Sequence, residues 1–324
     1  MTAAGVPKAE LHVHLEGTAR PELIRRIAAR NHVALPAGLF ADEDTFAWRD
    51  FLDFLATYDL AASVIRTAQD YRDITFEYLE ACAAEGAIYV ELTASADHAA
   101  AVGLSDEEHL AGLAQGIDDA RAQTGIEGRI VMSCVRHFGP EKAREVARRT
   151  VEAPHPYVTG FGMGGDEAGF PPGDFAAAFA TAREAGLGLT VHAGEWAGPD
   201  SVRGALALGA SRIGHGVRAS EDPELVRELA DRGTVLEVCP TSNVALGLYA
   251  GYAEHPLPAL RAAGVPVTLG SDDPPYWDAS IGGEYAVAAE RFGLDDEALR
   301  EITRTALRAA FVEEEVRQRL LDLV

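Results

Sequence analysis

Four short clusters in this chain combine residue types that can hold a divalent cation and move protons. The first is Leu11-His12-Val13-His14-Leu15-Glu16-Gly17, in which apolar side chains alternate with imidazoles. Successive side chains of a strand point to opposite faces, so His12 and His14 emerge together. Neutral imidazole suits zinc, and two imidazoles fixed on one strand lose little freedom when the metal binds. The other clusters are His192-Ala193-Gly194-Glu195, Gly214-His215-Gly216 and Ser271-Asp272-Asp273-Pro274. Taken singly, His-x-His also describes an edge strand with solvated histidines, and Asp-Asp-Pro a turn or helix cap. Together they offer three imidazoles and one carboxylate. That is a workable single-zinc shell of His12, His14, His192 and Asp272, with water as the further ligand. Zinc lowers the pKa of such a water toward ~7. His215 and Asp273 stand ready to orient it and take its proton, and Glu195 to act as a proton donor.

These clusters need a scaffold that brings them to one place, and the hydrophobic pattern supplies one. After a first strand around His12 and His14, strand-like runs fall at Ala87 to Leu92, Arg129 to Val135, Tyr157 to Met163 and Gly188 to His192. Three more follow at Arg212 to Gly214, Thr234 to Cys239 and Val265 to Gly270. Helical stretches separate the later ones: Asp106 to Thr124, Pro140 to Val151, Asp174 to Ala185, Asp200 to Leu208, Pro223 to Asp231 and Leu257 to Ala263. Eight strands alternating with helices is the rhythm of an α/β protein of the (β/α)8 TIM barrel type. A doubly wound open sheet competes, but no Gly-x-Gly-x-x-Gly follows the first strand. In a barrel, functional side chains gather at the C-terminal strand ends, and there the clusters lie.

The stretch from about 18 to 85 is too long for one crossover, so a helical insertion is expected to cover one mouth of the barrel. Thr18 is its first expected N-cap, with Pro21 early in the helix. Further helices are expected at Phe46 to Tyr58, Ala61 to Thr67 and Asp73 to Glu85. Without a linker, charge block or internal repeat, the chain is read as one domain over 1–324.

Composition narrows the partners. A net charge of −23 argues against nucleic acid and anionic membrane surfaces. No apolar run reaches the roughly 18 residues of a membrane span, and the first residues lack a signal-peptide pattern. Cys82, Cys134 and Cys239 are odd in number and far apart, which suggests a reduced cytoplasmic protein without disulfides. The only lysines are Lys8 and Lys142, neither at a strand end, so a lysine-bridged pair of metals is not expected. The histidines outside the clusters, His32, His98, His109, His137, His155 and His255, are read as surface or structural. His137, just past the third strand, is the least firmly placed of them.

The clusters, in order over nearly the whole chain, resemble the adenosine/adenine deaminase family of metal-dependent barrel hydrolases. The matching runs are Pro7 to Gly17, Gly164-Gly165-Asp166-Glu167, His192 to Glu195, Gly214-His215-Gly216, Glu237-Val238-Cys239-Pro240-Thr241-Ser242-Asn243 and Ser271 to Pro274. The resemblance implies one Zn2+ per chain on His12, His14, His192 and Asp272. It implies that Glu195 protonates purine N1, His215 handles the attacking water and Asp273 hydrogen-bonds N7. It further implies that the Gly165 backbone reaches N3, with His14 and Glu16 also facing the substrate. Water adds to C6 and ammonia leaves. Elementary chemistry agrees, because an aromatic C6 is a poor electrophile until N1 is protonated by a carboxylic acid kept neutral in a closed pocket. The alternative zinc-deaminase design needs Pro-Cys-x-x-Cys, which the dispersed cysteines do not provide.

Two departures concern the sugar. Glu16 stands where adenosine deaminases mostly carry aspartate against the ribose, and it reaches further by roughly 1.5 Å. Adenine deaminases of the family resemble this chain in carrying glutamate there. Gly162-Met163-Gly164-Gly165 replaces the common Asp-Leu-Ala-Gly. The reading adopted from the sequence is a zinc-dependent deaminase of an adenosine-type nucleoside. Free adenine comes second and a nucleoside with a bulky 5′ group, such as aminodeoxyfutalosine, third. A catalytically inactive purine-binding barrel is the contrasting class, disfavoured because every ligand and acid/base position is filled.

Overall fold

The computed structural model describes residues 3–324 and is built around eight parallel strands in the order β1 to β8. These are β1 Lys8–Glu10, β2 Ala87–Ser95, β3 Glu127–Val135, β4 Val158–Gly164, β5 Gly188–Ala193, β6 Arg212–His215, β7 Val235–Val238 and β8 Val267–Leu269. The rhythm read from the sequence is therefore that of a (β/α)8 barrel. The seam between β8 and β1 is closed just beyond the strands themselves. His14 N–H donates to Asp272 O at 2.9 Å, and Asp272 N–H donates to His12 O at 3.1 Å. On the other flank Thr93 N–H donates to Val13 O at 2.9 Å. The sequence put His12 and His14 inside the first strand, but its regular part ends at Glu10. From Val13 on, the backbone divides its hydrogen bonds between β2 and the segment after β8.

Three helices separate β1 from β2: α1 Pro21–Arg30, α2 Phe51–Ala62 and α3 Ala68–Ala84. Their starts differ from expectation for local reasons. Thr18 does not cap α1; its hydroxyl donates to Leu15 O at 2.7 Å in a short 3-10 turn. Helix α2 begins at Phe51, not Phe46, because Asp50 accepts the Asp53 N–H at 3.0 Å and fixes the start there. Ala61 to Thr67 is no separate helix, since Ala61 and Ala62 are the last residues of α2. The chain turns after Ala62 so that Thr67 and Asp70 can form a capping box at the head of α3. The insertion is tied to the barrel by aromatic contacts. Phe46 stacks on Tyr276 at 4.3 Å between ring centres, and Phe51 lies 4.5 Å from Trp196.

The remaining helices follow the expected rhythm. They are α4 Ala96–Ala101, α5 Asp106–Thr124, α6 Pro140–Glu152, α7 Ala176–Glu184, α8 Pro199–Ala207, α9 Pro223–Arg232, α10 Pro240–Ala245 and α11 Leu257–Ala262. After β8 come α12 Ile281–Phe292, α13 Asp296–Ala309 and α14 Glu314–Leu321. Where Asp174 to Ala185 was read as one helix, the chain first makes a 3-10 turn at Pro172–Phe175. Among the described residues no helix is long and apolar enough to cross a membrane.

The lower barrel is not purely apolar. Arg212 is almost fully buried, with Nε 2.6 Å from Glu237 Oε1 and Nη2 2.5 Å from Glu91 Oε2. Its guanidinium lies 3.6 Å from the Phe311 ring centre, and Nη1 donates to Ala309 O at 3.0 Å. An unpaired buried charge costs several kcal/mol, so the two carboxylates are what permit an arginine here. Glu237 continues this polar column upward to His12.

Candidate active site

The C-terminal mouth of the barrel holds a cavity of about 650 Å³, counting its opening. Strand ends supply its floor, and Phe51, Phe54, Leu55, Tyr58 and Asp59 of α2 supply its roof. The expected insertion over one mouth is thus present in the form of α2.

The four predicted ligands meet on one side of this cavity. One donor atom from each of His12, His14, His192 and Asp272 lies within 4.8 Å of all the others. His14 Nε2 is 3.0 Å from His192 Nε2 and 3.3 Å from Asp272 Oδ1, and His12 Nε2 is 3.5 Å from the same oxygen. Donors bound tetrahedrally at 2.0–2.1 Å to one ion stand roughly 3.3 Å apart, so the spacing fits a shared metal. The donor atoms fit as well. His12 Nε2 is buried with no hydrogen-bond partner, and two imidazole nitrogens facing each other at 3.0 Å require a cation or proton between them. The cluster is one that draws in positive charge.

Three of the four donors are aimed by a neighbour. Glu237 Oε2 is 2.9 Å from His12 Nδ1, Met163 O is 2.9 Å from His192 Nδ1, and the Ser242 hydroxyl donates to Asp272 Oδ2 at 2.6 Å. Such partners fix imidazole orientation and tautomer. Asp272 and His215 adopt left-handed backbone at φ 66° and 59°. Strained backbone of this kind costs about 1–3 kcal/mol per residue and is kept where the surroundings dictate it.

The three expected acid/base groups lie beside the donors, all almost fully buried. Burial, then the charges of Asp272 and Glu167, push the Glu195 carboxyl well above its ordinary range. Burial, then Asp272 and Glu195, do the same to Asp273. Burial takes His215 down to about 3, so it is neutral. Its Nε2 stands 3.8 Å from Glu195 Oε1, and Asn243 Nδ2 donates to its Nδ1 at 3.2 Å. The ring proton therefore sits on Nε2. A neutral ring protonated there can donate to a group bound beside the metal donors.

Glu16 also lies in the wall. It accepts from Tyr58 OH at 3.3 Å, Tyr71 OH at 3.4 Å and Ser95 N–H at 3.0 Å. Gly17 must be glycine, since a Cβ there would fall 1.8 Å from Asp273 Oδ1. Gly165 lines the cavity at φ 100°.

Several contributors carried no assigned role in the sequence reading. Glu167 accepts the backbone N–H groups of Gly194, Glu195, Trp196 and Ala197 at 2.6–3.1 Å and so holds the loop that presents Glu195. Its place in the Gly164 to Glu167 run was the available signal. Asn243 links His215 to His255, whose Nε2 is 3.2 Å from Asn243 Oδ1. His98 and His137, read as surface or structural, both line the cavity. His98 lies in α4 just past β2, and His137 in a 3-10 turn just past β3. Cys82, Cys134 and Cys239 are buried free thiols.

A donor set of three imidazoles and a carboxylate with adjacent acids, at the C-terminal mouth of a (β/α)8 barrel, is the arrangement of a metal-dependent amidohydrolase. The family model described as adenosine deaminase matches residues 7–324. The adenine deaminase of Chelativorans sp. (strain BNC1) is 52% identical over 97% of this chain and 96% of its own. That of Mesorhizobium japonicum is 48% identical over 97% of both chains. The crystal structure of an adenine deaminase from Arthrobacter aurescens is 31% identical, covers 98% of each chain and superposes with a TM-score of 0.91. The chain belongs to the adenosine deaminase family and is a hydrolytic deaminase.

Proposed function

We propose that this chain is a cytoplasmic adenine deaminase that converts adenine and water to hypoxanthine and ammonia with one Zn2+ per chain. The observation that carries this reading is the near full-length similarity, at 52% identity, to a relative named adenine deaminase. It takes precedence over the nucleoside reading adopted from the sequence, because the glutamate at position 16 had already set the sugar end apart.

His12, His14, His192 and Asp272 would hold the ion. When bound, zinc supplies Lewis acidity that brings the pKa of a coordinated water toward ~7. Glu195, neutral in its buried setting, gives its proton to N1 and withdraws electron density from C6. As a carboxylate it then takes a proton from the attacking water and passes it to the exocyclic nitrogen, which leaves as ammonia; the remaining proton on the C6 oxygen restores the acid form of Glu195. Over the cycle the two protons of water end on N1 and on the departing nitrogen. His215 orients the attacking oxygen through Nε2–H. Protonated Asp273, whose Oδ1 has no partner within the protein, donates to N7. The Gly165 backbone closes on N3, and α2 keeps bulk water out.

The test is a loss-of-absorbance assay on zinc-loaded protein, run in parallel on adenine and adenosine, with ammonia counted. The proposal expects adenine to have the higher kcat/KM. A preference for adenosine would return the nucleoside reading.

A further inference from the structure

The arc of the mouth that provides no metal donor carries a second polar cluster, and none of the steps above uses it. Asp59, on the roof helix α2, places Oδ1 2.8 Å from His98 Nε2 and Oδ2 3.4 Å from His137 Nε2. His98 follows β2 and is itself fixed by Ser95 Oγ, 2.8 Å from its Nδ1. His137 follows β3 and lies against Gly165, where a Cβ would come within 2.8 Å of its Nδ1. Phe138 packs on both rings, at 5.6 and 4.8 Å between centres. Asp59 keeps 34% of its side chain exposed, and all three polar residues line the cavity. Burial opposes the Asp59 charge, but hydrogen bonds from His137 and His98 prevail and bring its pKa to about 2. It is a clamped carboxylate with lone pairs left over.

The chemistry of the ligand says what such a group would meet. With C6 beside the metal donors, the edge across the six-membered ring is N3–C4–N9. When N7 accepts from Asp273, the imidazole proton of a free base is on N9. A nucleoside has a sugar carbon there instead.

We propose that Asp59, held by His98 and His137, accepts the N9–H of a free purine and thereby selects base over nucleoside. This inference rests on the adenine reading above and makes Asp59 a specificity-determining residue. A site built to bind an N–H leaves its acceptor unpaired when that hydrogen is missing, which penalises the analogue heavily.

The test compares adenine with 9-methyladenine, which removes the N–H at the cost of a single methyl group. For the wild-type enzyme, kcat/KM is expected to fall by at least about 100-fold. In Asp59→Ala the gap should close to within several-fold, mainly through loss on adenine. His98→Asn, which loosens the clamp without touching the substrate, should narrow it in part. Zinc content and melting temperature serve as controls on folding. Equal use of the two substrates by the wild type would overturn the inference and leave the adenine reading standing. So would an undiminished gap in a folded Asp59→Ala. Failure of zinc-loaded wild type to turn over adenine would overturn both.

Discussion

His12 and Glu237 meet at 2.9 Å, imidazole Nδ1 to carboxylate Oε2, with both side chains almost wholly buried. The contact places the ring proton on Nδ1 and turns a bare Nε2 toward His14, His192 and Asp272. Glu237 is itself held by Arg212 and by the Thr190 hydroxyl, which donates to Oε2 at 2.9 Å. Orientation at the metal donors is therefore set by a column that starts near the barrel floor.

Glu237→Gln should weaken zinc binding by about 10–100-fold, the usual cost of losing a partner behind a metal-binding histidine. The amide can turn its oxygen to His12 only by turning its NH2 toward the Arg212 guanidinium. Competition with a chromogenic chelator reads this without reference to turnover. Wild-type affinity in that variant would remove Glu237 from the site.

Glu195→Gln keeps the size of the side chain and its place in the loop held by Glu167, but has no acidic proton to give. It should bind a full equivalent of zinc while kcat falls by about 10²–10⁴-fold, the range of general acid catalysis. Metal analysis beside steady-state rates separates the two effects. Near-normal turnover would sink the assignment of Glu195 as proton donor.

The site was legible in the sequence where chemistry and strand ends coincide. His12, His14, His192, Asp272, Glu195, His215 and Asp273 all sit in short motifs whose residue types have few other uses at that position, and the structure gathers them around one cavity. The strand rhythm held for the same reason, since buried parallel strands read as continuous apolar runs. What the pattern did not carry is whatever depends on chain reversal. Thr18 has the residue type of an N-cap, yet its hydroxyl serves a tight turn. Likewise Asp59 meets His98 and His137 only because α2 folds back over the mouth, and no spacing in the chain records that contact.

The Asp59–His98 pair gives a pH dependence of stability. The His98 pKa is raised from 6.5: burial acts against this, and the Asp59 hydrogen bond outweighs it. Its contribution is full below 6.5 and is lost as pH climbs through the raised value. Asp59, lowered from 3.8 to about 2, contributes above 3.8 and loses its share as pH falls through about 2. The pair is therefore worth most between these limits. His98→Asn should lower the melting temperature more at about pH 5.5 than at about pH 9.5. A gap that does not change with pH would show that the pair is not an ion pair.

Glu16→Asp probes the sugar end beside the Asp59 cluster, since Glu16 and His98 both hydrogen-bond Ser95. The glutamate is held by Tyr58, Tyr71 and the Ser95 N–H. Shortening it by roughly 1.5 Å withdraws the carboxylate from both phenols, frees Tyr58 on the roof helix and opens space beside His14. Adenosine turnover should rise relative to adenine. Because neither Glu195 nor the metal donors are touched, the change should fall on KM for the nucleoside more than on kcat for the base. Parallel kinetics on the two substrates decide the matter: an unchanged ratio would place sugar discrimination elsewhere, with Asp59 the next residue to vary.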